Sequence, residues 1–158
     1  MTPTVAGRTV VVMSLKDRMN DATQQFQQAL APHLRGETLT GVGNATRRKS
    51  AFKQELIIFG VTPTRLILMS ADRRMQPTGE MIELTAADVT KSSVDGVGGG
   101  VGHFLGNSEG EIWIDTPQHG RIKLMVIGNG ILERAMLGEA GVSGTVAMCE
   151  WLARARPA

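Results

Sequence analysis

Four cations crowd one short stretch of this 158-residue chain: Arg47, Arg48, Lys49 and Lys53, within Asn44-Ala-Thr-Arg-Arg-Lys-Ser-Ala-Phe-Lys53. From Arg35 to Gln54 there are five basic residues and one acidic one, a local balance of +4 in a chain of net charge +2. Cations at that density attract anions, and beside a charged membrane each contributes on the order of 1 kcal/mol. The four are therefore candidate docking residues for anionic head groups or for an acidic protein surface. The bland alternative is a solvated loop that keeps the chain soluble. Arg73 and Arg74, in Asp72-Arg-Arg74, either extend this basic face or serve only as turn residues.

Other residue types offer chemistry and fail on spacing. Gly96-Val-Gly-Gly-Gly-Val-Gly102 invites a phosphate-loop reading. A dinucleotide-binding turn needs glycines at its first, third and sixth positions between a strand and a helix, and no starting point gives that register. The stretch reads as a hairpin loop or bulge; an enzyme using it as a lid is the weakest alternative. His33, His103 and His119 fall on three separate elements, whereas a metal site needs at least three converging ligands. The single cysteine, Cys149, allows no intrachain disulfide and no multi-cysteine zinc site, and it fits a reducing compartment. With no histidine placed to activate it, it reads as a structural thiol. Glu80, Glu83, Asp88 and Asp95 flank strands, and no pair has a spacing that acid–base work demands. The expectation is a non-enzyme with no catalytic residue, no metal and no cofactor.

The elements that hold these residues follow from hydrophobic patterning. Leu56–Val61 and Leu66–Met69 are short runs rich in Ile, Leu and Val, separated by Thr62-Pro-Thr-Arg65, and they predict a buried β-hairpin. Such a hairpin cannot stand alone, so the rest of the chain must cover it. Residues 1–13 form a tail, with a short edge strand at Thr9–Val12. A helix over 14–34 presents Leu15, Met19, Ala22, Phe26, Ala29 and Leu30 as one apolar stripe, and Gly36 stops it. Glu37–Val42 is the expected first strand, and Asn44–Lys53 a polar loop. Further strands are expected at Met81–Leu84, Val89–Val94, His103–Leu105, Glu111–Asp115 and Arg121–Ile127, with Thr85–Asp88 as a short turn. A short helix at Ile131–Leu137 precedes a final helix over 143–156, whose Met148, Trp151, Leu152 and Ala155 plug one end of the sheet.

This order, a helix, about seven antiparallel strands and a capping helix, resembles a bacterial pleckstrin-homology-like (PH-like) domain. Three stretches carry the likeness. Leu34-Arg-Gly-Glu-Thr-Leu39 is similar to the family's lead-in to its first strand. Ile58-Phe-Gly-Val-Thr-Pro-Thr-Arg-Leu-Ile-Leu68 resembles its second hairpin. Met81-Ile-Glu-Leu-Thr-Ala-Ala-Asp-Val89 resembles the step into a later strand. The resemblance spans most of residues 34–127 and consists of strand-and-turn wording with no catalytic motif. It implies an α+β fold, a small antiparallel β-barrel or sandwich over 37–127 inside a single domain of residues 14–158. It also implies a binding module, and lipid-binding members of the wider superfamily use basic residues near the position of Arg47, Arg48 and Lys49.

The expected function is thus a non-enzymatic binding or scaffolding module, with another protein as the leading partner. The alternative is a peripheral binder of anionic lipid or phosphorylated head groups through residues 47–53. Nucleic acid is not expected, because a net charge of +2 is too small to argue for it. A homo-oligomer formed through the N-terminal helix is a further expectation. The short apolar run Val10–Met13 is broken by Lys16, Asp17 and Arg18, so a cytoplasmic chain is expected, peripheral to a membrane in the lipid reading.

Overall fold

The structure is a computed structural model that describes residues 4–5, 8–9, 15–95, 109–127 and 131–155. A separate two-stranded hairpin, β1 (Thr4–Val5) and β2 (Arg8–Thr9), precedes α1 (Leu15–Leu30) and a 3-10 turn, Ala31–His33. The main strands are β3 (Gly41–Arg48), β4 (Gln54–Val61), β5 (Arg65–Ala71), β6 (Pro77–Thr85), β7 (Lys91–Asp95), β8 (Glu109–Thr116) and β9 (Gly120–Ile127). A second 3-10 turn, Ala86–Asp88, lies between β6 and β7, and α2 (Ile131–Ala155) follows β9. The seven strands form one antiparallel sheet in the order β6-β5-β4-β3-β9-β8-β7. This is the antiparallel α+β architecture of about seven strands expected from the sequence, with a C-terminal helix and an extra N-terminal one. Among the described residues β6 and β7 are the two edge strands, so the sheet is open there.

The central hairpin β4–β5 explains why both apolar runs are continuous. Ile57, Phe59, Val61, Leu66 and Leu68 face inward, where they pack with Ile112, Ile114, Ile122 and Leu124 from β8 and β9 and with Met148, Trp151 and Leu152 of α2. Ile58, Ile67 and Met69 face the other way and are covered by Phe26 and Leu30 of α1. A strand buried on both faces has no reason to alternate. Gly60 marks the contact: a Cβ there would lie 2.8 Å from Leu30 Cδ1. Of the expected α1 stripe, Ala22, Phe26, Ala29 and Leu30 pack on the chain's own sheet, while the side chains of Leu15 and Met19 lie outside the description. The turn between the strands closes as its residues suggest. Thr62 Oγ1 accepts from the Arg65 amide at 2.9 Å, while Pro63 takes the second turn position.

Helix α2 meets the sheet at unusually short range. A Cβ at Gly144 would stand 2.0 Å from the Val42 carbonyl oxygen, and one at Gly41 would stand 2.4 Å from Ala147 Cβ. That approach seats Trp151, 3% exposed, in the inner core, as a plug for the open sheet.

Several sequence boundaries shift. The first strand of the sheet is Gly41–Arg48, not Glu37–Val42, and the expected polar loop Asn44–Lys53 contracts to Lys49–Lys53. Asn44 to Arg48 pair residue for residue with Ile58 to Gln54, so ladder pairing overrides their weak strand propensity. The N-terminal α-helix ends at Leu30; Pro32 sits in the 3-10 turn, and Arg35 and Gly36 take left-handed φ values of 51° and 84° that stop the chain from continuing. The two expected C-terminal helices are one, Ile131–Ala155. Ser14, the Gly96–Gly102 loop and the His103–Leu105 strand lie outside the described residues.

Candidate functional site

The basic residues read from the sequence converge on one end of the four-strand half of the sheet. Arg48 and Gln54 form the last β3–β4 pair, and Lys49–Lys53 turn the chain through Lys49 N–H to the Lys53 carbonyl at 2.9 Å and Lys53 N–H to the Ser50 carbonyl at 3.4 Å. Next to this tip lies the β5–β6 turn, because the ladder sets Leu56 opposite Ala71. Asp72 organises that turn: its Oδ1 accepts from the amides of Arg74 at 2.8 Å and Gln76 at 3.0 Å, and Met75 adopts a left-handed φ of 59°. Arg73 and Arg74 are turn residues, and their turn lies at the same end of the sheet as the β3–β4 turn that carries Arg48, Lys49 and Lys53. At the tip itself Phe52 is 101% exposed, a full aromatic ring in solvent among cations.

These cations are not equivalent. Arg48, Lys53, Arg73 and Arg74 are exposed, and none forms an ion pair among the described residues. Lys49 pairs with Glu55, and the Ser70 hydroxyl donates to the same carboxylate. Glu55 lies directly opposite Arg47 in the ladder, on the side of β4 that bears Ile57 and Phe59. Burial pushes its carboxyl up, but hydrogen bonds from Lys49 and Ser70 and the charges of Lys49 and Arg47 outweigh that, leaving it below the usual carboxylate range.

A second charged network was not foreseen. Arg65, 5% exposed at the start of β5, donates from Nε to Glu37 at 3.1 Å and from Nη2 to the carbonyls of His33 at 3.1 Å and Leu34 at 2.8 Å. Its Nη1 has the longer ion contact to Glu83, 3.4 Å, which Arg35 shares at 3.3 Å. Hydrogen bonds from the side chains of Thr62, Thr64 and Arg65 hold the Glu37 carboxyl down at about 2. The arginine of Arg65-Leu66 thus grips the glutamate of Gly36-Glu37. The sequence signal was an arginine heading an otherwise apolar strand.

On the far side, the 62–65 turn, Thr85–Ala87 and the end of α2 enclose a groove of about 400 Å³, lined by Pro63, Ala86, Ala87, Trp151, Arg154 and Ala155 among others. Among the described residues no group of His, Cys, Asp and Glu side chains is placed to hold a metal ion. Burial and the neighbouring Glu150 push the Cys149 thiol up to about 11, so it remains protonated.

No protein-family model matches the chain, and no curated protein does. Solved structures similar to it include one from Leishmania infantum and one from human. The C-terminal domain of an unknown protein from Leishmania infantum shares 17% identity, with 82% of this chain and 96% of that one covered and a TM-score of 0.47. The hSac2 domain of the human phosphoinositide phosphatase Sac2 shares 10% identity over 92% of this chain and 89% of that one, with a TM-score of 0.48. Both scores fall below 0.5, and the fold rests on strand order instead.

Proposed function

We propose that the chain is a non-enzymatic docking module whose β3–β4 end binds an anionic membrane surface. The single observation that carries this reading is the fully exposed Phe52 ring at the tip of a hairpin flanked by unpaired Arg48 and Lys53, with Arg73 and Arg74 alongside. An aromatic ring in water is an unused apolar area, and at a lipid interface it is buried while the neighbouring cations meet head groups. Four exposed cations at about 1 kcal/mol each give weak, salt-sensitive attachment, to which the ring adds. Exposed Phe52 moves this reading ahead of the protein-partner one, since an acidic protein surface accounts for the cations and not for the ring. The non-enzymatic part is supported by the state of the titratable groups. The shifted carboxylates are lowered by ion pairs and hydrogen bonds, which suits structural anions better than poised bases.

Co-sedimentation with phosphatidylserine-containing and neutral phosphatidylcholine vesicles across a salt series tests the reading. Binding to the anionic vesicles alone, fading as salt rises, is the expected result. Absence of binding at low salt overturns it and turns attention to an acidic protein surface, sought by partner pull-down.

A further inference from the structure

The inner face of the basic end already holds an anion, and the anion is the chain's own. Glu55 receives the Lys49 ammonium and the Ser70 hydroxyl, and it stands opposite Arg47 across the β3–β4 ladder. An ammonium and a hydroxyl donor meet at one point, with a guanidinium carried by the residue facing it across the ladder, and all three are donors that a phosphate oxygen takes. The point is also sheltered: the Glu55 side chain is 14% exposed and that of Lys49 29%, against the open solvent around Phe52. Ile57 and Ala45 lie one step deeper on the same face, so the polar cluster sits where the core gives way to solvent.

We propose that Arg47, Lys49 and Ser70 form a phosphate-binding site that the Glu55 carboxylate occupies, so that Glu55 is a specificity-determining residue that keeps phosphate groups out of the sheet. An incoming phosphate meets one fixed negative charge inside the cluster of cations and must displace it from a lysine and a hydroxyl. Docking is thereby confined to the outer tip, where Arg48, Lys53, Arg73 and Arg74 read charge density without selecting a particular head group. This confinement rests on the membrane reading above; the occupied site itself does not.

The test titrates inorganic pyrophosphate into the full chain and into Glu55→Ser and Glu55→Gln by calorimetry. Glu55→Ser removes both the charge and the bulk, and pyrophosphate binding at least about tenfold tighter than in the parent chain is expected. Glu55→Gln keeps the volume and the hydrogen bond from Ser70, so it carries the test should the serine variant fail to fold; a gain in the same direction is expected. Adding Arg47→Ser must abolish the gain. Glu150→Gln, an exposed residue on α2, changes net charge equally and must give none. No gain in either Glu55 variant, an equal gain in Glu150→Gln, or a gain that survives Arg47→Ser overturns the proposal. Vesicles of matched charge identify the source of the phosphate. A new preference of Glu55→Ser for phosphatidic acid over phosphatidylserine assigns the site to a head group, and a gain with pyrophosphate alone assigns it to a soluble phosphate. If the parent chain binds no vesicle, the membrane reading falls while the pyrophosphate result stands.

Discussion

At the scale of single residues, removing the Arg65 guanidinium would strand Glu37 and the carbonyls of His33 and Leu34 together. These acceptors belong to the segment joining α1 to the sheet, so the side chain ties the N-terminal helix to β5. Arg65→Leu is expected to cost about 3 kcal/mol in denaturant unfolding, because a buried charged network loses one partner. Arg65→Lys should recover only part of this, since one ammonium cannot serve a carboxylate and two carbonyls in a fixed fork. A loss below 1 kcal/mol for Arg65→Leu would show that solvent replaces the network. The partner glutamate makes a second prediction. Glu37 has its folded value lowered from 4.5 to about 2, so its contribution is complete above pH 4.5 and is lost as pH falls toward 2. Thermal unfolding between pH 5 and pH 2 should therefore steepen in the parent chain and flatten in part in Glu37→Gln. It flattens only in part because Glu55, Asp88 and Asp115 are also lowered. Identical pH profiles for the two chains would remove Glu37 from the account.

At the scale of elements, the seating of α2 depends on a missing side chain. In an exposed helix, glycine to alanine gains about 1 kcal/mol from propensity alone. At Gly144 the new Cβ would meet the Val42 carbonyl oxygen at 2.0 Å, a backbone atom that cannot rotate away, and the helix must shift with Trp151 attached to it. Gly144→Ala is thus expected to destabilise by about 1–3 kcal/mol in calorimetric unfolding, the range for overpacking. The sign decides the matter: stabilisation would mean that α2 sits further from β3 than described. This contact also shows where the sequence was legible. The β4–β5 hairpin, its Thr62-Pro63 turn and the core role of Trp151 were readable because each follows from local patterning and turn chemistry. The true extent of β3 was not. Asn44-Ala-Thr-Arg-Arg48 has the composition of a loop, and only its register against Gln54–Ile58 makes it a strand. Likewise the final helix is expected to start at residue 143, whereas Gly144 lies inside one continuous helix and serves a contact about one hundred residues away in sequence, with Val42.

At the scale of the whole molecule, the two helices leave the ends of the sheet unlike each other. Trp151 plugs the inner core, α1 covers the outer face of the central hairpin, and the β3–β4 tip stays uncovered with its cations and Phe52. The six basic site residues were legible as charge, but not their division. Sequence gives no means of knowing that Lys49 is neutralised by Glu55 while Arg48 and Lys53 are free, because the ladder register makes that choice. The exposure of Phe52 is not legible for a related reason: it is a property of the hairpin's geometry, and sequence alone does not distinguish a covered loop aromatic from a bare one. The division yields a prediction that a purely electrostatic patch does not share. Arg48→Ser with Lys53→Ser should weaken attachment to anionic vesicles and flatten its dependence on salt, because the counterions released on binding are fewer. Phe52→Ala should weaken attachment by about 1–2 kcal/mol, some tenfold, and leave the salt slope as it was, because the lost term is apolar burial. Co-sedimentation of the three chains over one salt series separates the effects. Should Phe52→Ala bind like the parent chain, the ring does not reach the lipid, and the tip docks by charge alone.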